Sequence, residues 1–574
     1  MKESQWDLSA LFENKDKVEE FLKSLKKEVQ DFEKTYQGHL KTLSANDFNE
    51  SLKQYENLLE KISAVMTYAY LLFASNTQET KFYSKCEMAC TDIQQHILFY
   101  EIEFVNLDSK KQETHMKKSK QYAFFLQKLI DKKRHTLNLD EEKIALALSP
   151  VGVDAFSRLF DQHLSSLKIP FEGKVLNEEE ILAFMYSPDR KKRKKSQKAF
   201  SAELAKSRPL LTYIFNMVRK NLHIETKLRN YEKKESFRHL NNQISQESVD
   251  SMLEIVNANF SLVHRYYHKK AQLLGHKLKD YDRYAPLSTE SVQVPYSEAL
   301  QETLNTFKDF SPDFYKIASK AIASGWVDSH PRAFKQGGAF SHSAVPSAHP
   351  YVLLNYTGNR RDMFTIAHEF GHMVHQELSK KQGVLNTETP LTTAETASVF
   401  SEMLLFEHLK KNLKQEELVF VLASKLEDIF STLFRQVVMT NFERRIHDIE
   451  EEVDAEELDK IWFEENERMF KDSVKLTKNY RSWWSYIPHF VHTPFYCYAY
   501  SYGQLLTLAL YGLYKRSDSK KFIKTYTEFL SLGGSKSPRE LVLMFDFDID
   551  SKEFWEIGMQ EVRNLLEEFE RLLA

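Results

Sequence analysis

Apolar residues recur every three to four positions along most of the chain, which is the spacing of amphipathic helices. From residue 15 to about 235 the pattern predicts one helix after another, and residues 62–73 are apolar on more than one side. Only 15 glycines and 14 prolines occur in 574 residues, well below the usual roughly 7% and 5%, so few breaks are expected. The sequence predicts a mainly α protein with an N-terminal helical domain at residues 1–190 and a second domain at residues 191–574.

The pattern changes between residues 325 and 360, where glycine and proline cluster. The apolar run 351–356, bounded by Pro350 and Gly358, predicts a short strand. A strand beside the following helix can hold an extended peptide through backbone hydrogen bonds, and an ordinary buried strand is the alternative. The Gly-Gly pair upstream can form a mobile loop over the same cleft, because glycine reaches conformations that other residues avoid. The predicted peptide contacts are Gly337, Gly338, Tyr351, Val352 and Leu353.

The strongest chemical signal is the pentapeptide His-Glu-Phe-Gly-His at residues 368–372, within a helical pattern that covers residues 362–375. Side chains four residues apart lie above one another on a helix, so His368 and His372 can bind one ion. This is the H-E-x-x-H zinc arrangement, in which Glu369 accepts a proton from zinc-bound water. The alternative is a pair of surface histidines that have this spacing by chance.

A third zinc ligand has to come from elsewhere in the chain. Position 378 is leucine, which excludes the metzincin spacing, where a histidine follows His372 by six residues. His375 lies seven residues, or roughly 10 Å of helix rise, beyond His368, too far for three rings to meet one ion. We interpret His375 as a residue that supports the ligands or lines the pocket, with direct metal binding as the alternative.

Two glutamates in the next helical pattern are further candidates. Glu395 and Glu402 are seven residues apart and lie on the same side of a helix, among mostly apolar or small residues. Carboxylates in such surroundings need a charged partner or a metal ion. The alternative for Glu395 is a capping box with Thr392, in which the glutamate would bind backbone N–H groups of its own helix. From the residues alone, both interpretations of Glu395 remain open.

These motifs resemble the M3 family of zinc oligopeptidases, and specifically its oligoendopeptidase F branch. The motifs that carry the resemblance are the pentapeptide and the later run Ala-Glu-Thr-Ala-Ser, residues 394–398. The resemblance covers most of the chain, and its most specific part lies between residues 330 and 505. The other similar segments are residues 6–9, 337–341, 349–356 and 487–500.

The resemblance implies an almost wholly helical, zincin-type fold with a small β element and a deep channel that admits short unstructured peptides. It gives Glu395 the role of third zinc ligand, and Glu402 that of a carboxylate that orients a ligand histidine. A late segment crowded with tyrosines is usually core, yet phenol and imidazole groups also suit the negative charge that develops on a scissile carbonyl. By similarity this role falls to His489, Tyr496 and Tyr500, and the choice of tyrosine stays open.

Charge and cysteine content limit the binding partners and the cellular compartment that we expect for this protein. The formal net charge is −3 with both signs interspersed, which gives no electrostatic case for nucleic acid or an anionic membrane. The chain shows no secretory signal at residue 1 and no uncharged apolar run that we expect to cross a bilayer. Three cysteines, Cys86, Cys90 and Cys497, favour a reducing compartment, so we expect a cytoplasmic protein. The oligomeric state is left open.

The predicted function is a metalloendopeptidase that hydrolyses internal bonds of short unstructured peptides, with one zinc ion per chain held in the 191–574 catalytic domain. One alternative is a zinc carboxypeptidase on a related helical fold, which needs a cation for the substrate's terminal carboxylate. The other is a non-catalytic peptide-binding protein, against which the intact general base Glu369 argues. The cationic candidates are Arg332, Lys335, Arg360 and Arg361.

Overall fold

The computed structural model describes residues 4–288 and 293–574, and most of these residues are helical. The helices of the first half are α1 Lys15–Tyr36, α2 Ala45–Ser75, α3 Thr80–Gln95, α4 Phe99–Val105, α5 Ser109–Lys118, α6 Ala123–Lys133, α7 Leu139–Leu148, α8 Val153–Ser165, α9 Glu178–Ala183, α10 Arg190–Leu228, α11 Ser236–Asn242, α12 Gln246–Ala258 and α13 Phe260–Leu273. Those of the second half are α14 Tyr296–Phe310, α15 Pro312–Ala323, α16 Arg360–Ser379, α17 Val384–Thr387, α18 Leu391–Ala394, α19 Thr396–Lys410, α20 Gln415–Ile429, α21 Arg435–Asp448, α22 Ala455–Phe470, α23 His489–His492, α24 Cys497–Arg516, α25 Ser519–Ser531, α26 Pro538–Leu543 and α27 Lys552–Leu572. The prediction of a mainly α protein is confirmed.

The strands are short and form three small sheets. They are β1 Ile169–Phe171, β2 Lys174–Leu176, β3 Leu278–Lys279, β4 Val327–Asp328, β5 Phe340–His342, β6 Tyr351–Leu353 and β7 Val474–Lys475. β1 pairs with β2, and β3 pairs with β7. In the third sheet β6 is central, parallel to β4 and antiparallel to β5. This sheet precedes α16 and is the predicted small β element.

The chain divides into two compact units, each made of segments that are distant in sequence. Unit 1 comprises residues 1–133, 291–412 and 514–546, and unit 2 comprises residues 134–290, 413–513 and 547–574. This division differs from a single boundary after residue 190, because later helices pack with the first 133 residues. The two sequential domains predicted above stay a prediction.

Each unit has its own apolar core. In unit 1, helices α1 to α6 enclose a cluster of buried residues that runs from Val18 to Leu126. Helix α2 is long and apolar enough to cross a membrane by length and composition, which the sequence analysis did not expect. Its residues Leu58, Ile62 and Val65 belong to this core cluster. In unit 2, a second cluster joins α10 to the aromatic residues between 480 and 490.

Candidate metal centre

Helix α16 carries the pentapeptide and lies unusually close to α19. Its first turn is capped by Asn359, whose side chain accepts a hydrogen bond from the Asp362 N–H at 3.0 Å. A Cβ atom at Gly371 would overlap the carbonyl oxygen of Ala397 and lie 2.7 Å from Ser398 Cα. Only glycine therefore allows the two helices to approach this closely, which brings the chemistry of α16 next to that of α19.

His368, His372 and Glu395 converge within unit 1. The two imidazole rings lie one helical turn apart, with centroids separated by 4.9 Å. Glu395 Oε2 lies 3.3 Å from His368 Nε2 and 3.4 Å from His372 Nε2. These are the three potential ligand atoms of the metal-binding group found among residues 4–288 and 293–574, and all lie within 4.8 Å of one another.

Glu395 occupies the break between α18 and α19, with φ −83° and ψ 0°. Helix α18 begins after Pro390, so Thr392 lies inside it and the capping box considered from the sequence is not formed. The Glu395 carboxylate instead faces the two histidines and accepts a hydrogen bond from Ser398 Oγ at 2.7 Å. The histidines hold the pKa of Glu395 at about 2, against the opposing effect of burial.

Glu402, on helix α19, contacts His368 at Nδ1, while the other ring nitrogen faces Glu395. Glu402 Oε1 lies 2.6 Å from His368 Nδ1, so the ring donates its Nδ1 proton to the carboxylate and directs Nε2 towards Glu395. In the metal-free protein, burial would lower the pKa of His368, but Glu402, Glu395 and Glu369 together raise it to about 9. The carboxylates thus make this imidazole electron-rich, as a metal ligand requires.

Glu369 lies beside the cluster and is 6% exposed. Burial raises the pKa of its carboxyl group, and the neighbouring His368 and His372 oppose this shift. A carboxylate whose pKa moves towards neutrality is better suited to accept and then return a proton. Its position and environment are those of a general base next to a metal site.

His375 belongs to a cavity and not to the ligand cluster. It is buried, and burial lowers its pKa to about 3, so it is a neutral imidazole. The cavity has a volume of about 200 Å³ and reaches His372. It is lined by Ser343, His372, His375, Gln376, Ser379, Thr387, Glu388, Thr389 and Ala394.

The strand predicted to hold a peptide is not available for that purpose. Tyr351, Val352 and Leu353 are fully buried in β6, and β4 and β5 occupy the two edges of this central strand. The prediction of peptide contacts at these three residues is therefore wrong, and the alternative of a buried strand holds. The prediction failed because the pairing of β6 depends on residues 9 to 25 positions away, which a local pattern does not reveal.

Gly337 and Gly338 lie in an exposed loop before β5. Gly338 has φ +80°, a conformation that favours glycine, and its carbonyl accepts a hydrogen bond from Asn355 Nδ2 at 2.7 Å. The same amide donates to Gln336, so the loop is fastened to the end of β6. A role of the two glycines in peptide binding stays a prediction.

Two of the cations considered for a terminal carboxylate already have partners. Arg332 and Lys335 form ion pairs with Asp328 at 2.6 Å and 2.7 Å. The Lys335 side chain is fully buried and also donates to the carbonyls of His330 and Leu354. These cations fix the loop to the sheet, which leaves Arg360 and Arg361 as the cations for the carboxypeptidase alternative.

The late histidine and tyrosine segment lies in unit 2. His489 Nε2 is 3.4 Å from Tyr500 OH, and the rings of Tyr496 and Tyr500 lie 5.1 Å apart. These three side chains are partly exposed, whereas Tyr498 and Tyr502 are buried. Since the metal cluster belongs to unit 1, the assignment of all these residues to one catalytic centre stays a prediction.

The two classes of tyrosine follow from the period of helix α24. Residues 496 and 500 share one face, and residues 498 and 502 share another. Tyr498 OH is hydrogen-bonded to His239 Nδ1 at 2.8 Å and Asn242 Nδ2 at 2.9 Å. The buried hydroxyls thus have structural partners, and the exposed ones are the better candidates for contact with substrate.

Comparison with known proteins agrees with this site. The profile of Peptidase family M3 matches residues 183–561, and that of Oligopeptidase F matches residues 103–169. The chain belongs to peptidase family M3. It is 27% identical to an oligoendopeptidase F homolog of Borreliella burgdorferi over 99% of this chain and 98% of that protein. The predicted family and the predicted peptidase class are confirmed.

Solved structures of other peptidases share the fold. A structure from Chlamydophila abortus has a TM-score of 0.87 at 24% identity, covering 99% of this chain and 98% of that one. Oligoendopeptidase-F from Enterococcus faecium has a TM-score of 0.72 at 21% identity, covering 97% and 98%. The helical zincin-type fold is confirmed, and the deep substrate channel stays a prediction.

The structure adds one residue that the sequence analysis missed. Ser398 donates both to the carboxylate of Glu395 and, at 3.0 Å, to its backbone carbonyl. Ser398 follows Glu395 by three residues and therefore lies on the same helical face. This spacing was the feature of the sequence that could have predicted the contact.

Proposed function

We propose that this M3 peptidase is a zinc-dependent endopeptidase that hydrolyses internal bonds of short, unstructured oligopeptides. The observation that carries the proposal is the convergence of His368, His372 and Glu395 next to the buried Glu369. Two imidazole nitrogens and one carboxylate oxygen are a donor set that zinc takes in catalytic sites, where a further position stays open. The residues present therefore fit one zinc ion per chain.

In the proposed mechanism Glu369 accepts a proton from the attacking water and later transfers it to the leaving amine. Zinc, when bound, supplies the Lewis acidity that acidifies this water and polarises the scissile carbonyl. Glu402 and Ser398 hold His368 and Glu395 in place for this chemistry.

We assign the stabilisation of the developing oxyanion to the partly exposed late donors. His489, Tyr496 and Tyr500 present imidazole and phenol groups on one face, and Tyr500 lies within reach of His489. Such donors lower the barrier because they are oriented before charge develops. We further propose a cytoplasmic location, supported by three buried cysteines that form no disulfide.

The test is cleavage of internally quenched peptides, from about five to thirty residues long, with zinc content measured on each protein. Loss of a general base typically costs 10²- to 10⁴-fold, so Glu369→Gln should lower kcat/KM by about that factor while it retains zinc. Glu377→Gln is the matched control, because Glu377 lies on the same helix and pairs with Lys380 at 2.8 Å. Its activity should stay within about twofold of wild type.

Mass analysis of the products identifies the bond that is cut. Internal cleavage of the short peptides by wild type supports the proposal. Stepwise loss of single C-terminal residues would establish a carboxypeptidase instead. Binding of metal and peptide without cleavage would identify a peptide-binding protein.

A further inference from the structure

Arg435 is a cation without an acidic partner in unit 2. Its Nη1 donates to Tyr284 OH at 3.2 Å, and its Nε is buried with no hydrogen-bond partner within residues 4–288 and 293–574. Among the residues that the structure describes, no carboxylate forms an ion pair with it; Tyr284, and then Tyr486 and Tyr480, raise its pKa against the effect of burial. Phenols are neutral at pH 7, so these neighbours orient the guanidinium without cancelling its charge.

Glu427, an acid whose charge acts on Tyr284, already has partners of its own. Glu427 is paired with the buried Lys270 at 2.5 Å and also binds the hydroxyl of Tyr266. A second arginine, Arg283, is 4% exposed and lies 5.2 Å from the Tyr284 ring. Its Nε donates to the backbone oxygen of Asp280. Two guanidinium groups therefore share an aromatic surrounding in which no carboxylate of residues 4–288 and 293–574 pairs with either of them, an arrangement that is costly unless an anionic ligand is bound.

The two phenols next to Arg435 differ in acidity, because burial raises the pKa of Tyr486 to about 12, whereas the pKa of Tyr284 is lowered. Burial raises the pKa of Tyr284, but Arg435 and Arg283 outweigh it and lower the pKa below its usual value. An acidified phenol is a stronger hydrogen-bond donor to a negatively charged oxygen. Tyr284, Tyr486 and Arg435 are each partly exposed, so a ligand can reach them.

The position of Arg435 links it to the late catalytic segment. Arg435 begins α21 directly after the π-helical turn Phe430–Phe434, a type of turn that frequently occurs at functional sites. Ser501 donates to the Leu433 carbonyl in this turn at 2.8 Å, which ties the turn to the helix that carries Tyr500. The charge of Arg435 also contributes, after burial, to lowering the pKa of His489.

We propose that Arg435, with the hydroxyls of Tyr284 and Tyr486, binds a carboxylate of the peptide substrate. The planar guanidinium matches a carboxylate in shape and charge, and the phenols add two O–H donors. The carboxylate comes either from the C-terminus of the peptide or from an acidic side chain. This inference rests on the proposed endopeptidase function and specifies its substrate.

The experiment compares two pairs of peptides that differ only in charge: a free C-terminus against a C-terminal amide, and an internal glutamate against glutamine. Hydrogen bonds to a charged group are typically worth a factor of about ten to a hundred, so wild type should prefer one carboxylate form by that ratio in kcat/KM. Arg435→Met should reduce this ratio to about one. Arg435→Lys, which keeps the charge without the planar group, should retain part of it.

Arg445→Met is the matched control, since Arg445 lies on the same helix and is paired with Glu464 and Glu465. It should keep the wild-type preference. Titration calorimetry of the same peptide pairs against Glu369→Gln protein measures binding without cleavage and should show the same preference in Kd.

The outcomes separate the two proposals. If wild type cleaves none of the peptides, the endopeptidase function fails. If it cleaves both members of each pair equally well, or if Arg435→Met lowers kcat/KM for all peptides by the same factor, the carboxylate site alone is overturned. Should Arg435→Met not fold, the preference of wild type and its reduction in Arg435→Lys decide the question.

Discussion

His368 Nδ1 and Glu402 Oε1 lie 2.6 Å apart, and this contact fixes which nitrogen of His368 faces Glu395. A carboxylate that accepts the Nδ1 proton selects the imidazole tautomer with a free Nε2. The proposed ligand His368 thus lies on helix α16, and the carboxylate that orients it lies on helix α19. The orientation of the ligand side chains therefore depends on contacts between these two helices as much as on the pentapeptide.

Removal of this support should weaken metal binding without abolishing it. Because such partners typically change metal affinity by a factor of about 10 to 100, Glu402→Ala should raise the Kd for zinc by that amount. Competition with a chelator of known affinity measures the change. Glu407→Ala, on the same helix with only a 3.7 Å pair to Lys410, should leave the Kd as it is. An unchanged Kd in Glu402→Ala would show that the hydrogen bond does not support the ligand.

Loss of Glu395 should have a larger effect, since it removes a proposed ligand. Glu395→Ala should contain less than stoichiometric zinc after dialysis, as measured by direct metal analysis. Ser398→Ala, which removes only the hydrogen bond to that carboxylate, should bind zinc more weakly but still bind it. Stoichiometric zinc in Glu395→Ala would mean that another residue is the third ligand.

Gly371 should not tolerate even the smallest side chain. In Gly371→Ala the new methyl group meets backbone atoms of Ala397 and Ser398, which cannot rotate away. We expect the free energy of unfolding to fall by at least about 1–3 kcal/mol, the usual cost of overpacking, and zinc binding to weaken. Urea titrations provide the measurement. Gly337→Ala is the control, since a Cβ there has no neighbour within 4 Å.

The site was predictable where local spacing determines it. The i to i+4 spacing of His368 and His372 and the i to i+7 spacing of Glu395 and Glu402 place each pair on one helical face regardless of the rest of the fold. Helix α2 was also predictable as an apolar segment, although it is long and apolar enough to cross a membrane. These features follow from helical periodicity alone.

Other features depend on contacts that periodicity does not encode. Tyr351 is buried because β6 is the central strand, and Lys335 is unavailable because Asp328 binds it. Neither pairing leaves a local signal, so both residues were assigned to substrate recognition or considered for it. The uncompensated Arg435 was likewise invisible, because an ion pair, or its absence, is a property of the folded chain.

The two classes of late tyrosine should respond differently to loss of the hydroxyl. Loss of an oxyanion donor typically costs about 10²–10³ in kcat, so Tyr500→Phe or Tyr496→Phe should lower kcat by that factor with little change in thermal stability. Tyr498→Phe removes the hydroxyl that is hydrogen-bonded to His239 Nδ1 and Asn242 Nδ2, and should cost about 1–3 kcal/mol of stability instead. If Tyr498→Phe had the catalytic defect, the assignment of faces would be reversed.

Stability should fall below neutral pH in part because of His115. This histidine is fully buried against Phe48, with ring centroids 4.1 Å apart, and neither ring nitrogen has a hydrogen-bond partner in the part of the chain that the structure describes. Burial, followed by Lys111, lowers its pKa from 6.5 to about 4. Between these values the unfolded chain binds a proton that the folded chain does not, so stability decreases as the pH falls from 6.5 towards 4.

Urea midpoints at pH 7 and pH 4.5 test this effect. A single such group contributes up to about 1.4 kcal/mol per pH unit. His115→Phe, which cannot titrate, should lose less stability over this interval than wild type. Equal losses in the two proteins would show that other groups account for the acid sensitivity.

Unit 1 is built from three segments that a ribosome completes at different times. Its last segment, residues 514–546, holds the end of the metal helix: Gln382 donates to the Ser531 carbonyl at 2.8 Å, and Gly533 packs against Ser379. A ribosome that has just added Glu402 has made every proposed ligand but not the segment that supports them. At roughly 5–20 residues per second the remaining stretch takes on the order of ten seconds. A nascent chain would therefore carry the complete motif for that time before it could act on peptides around it.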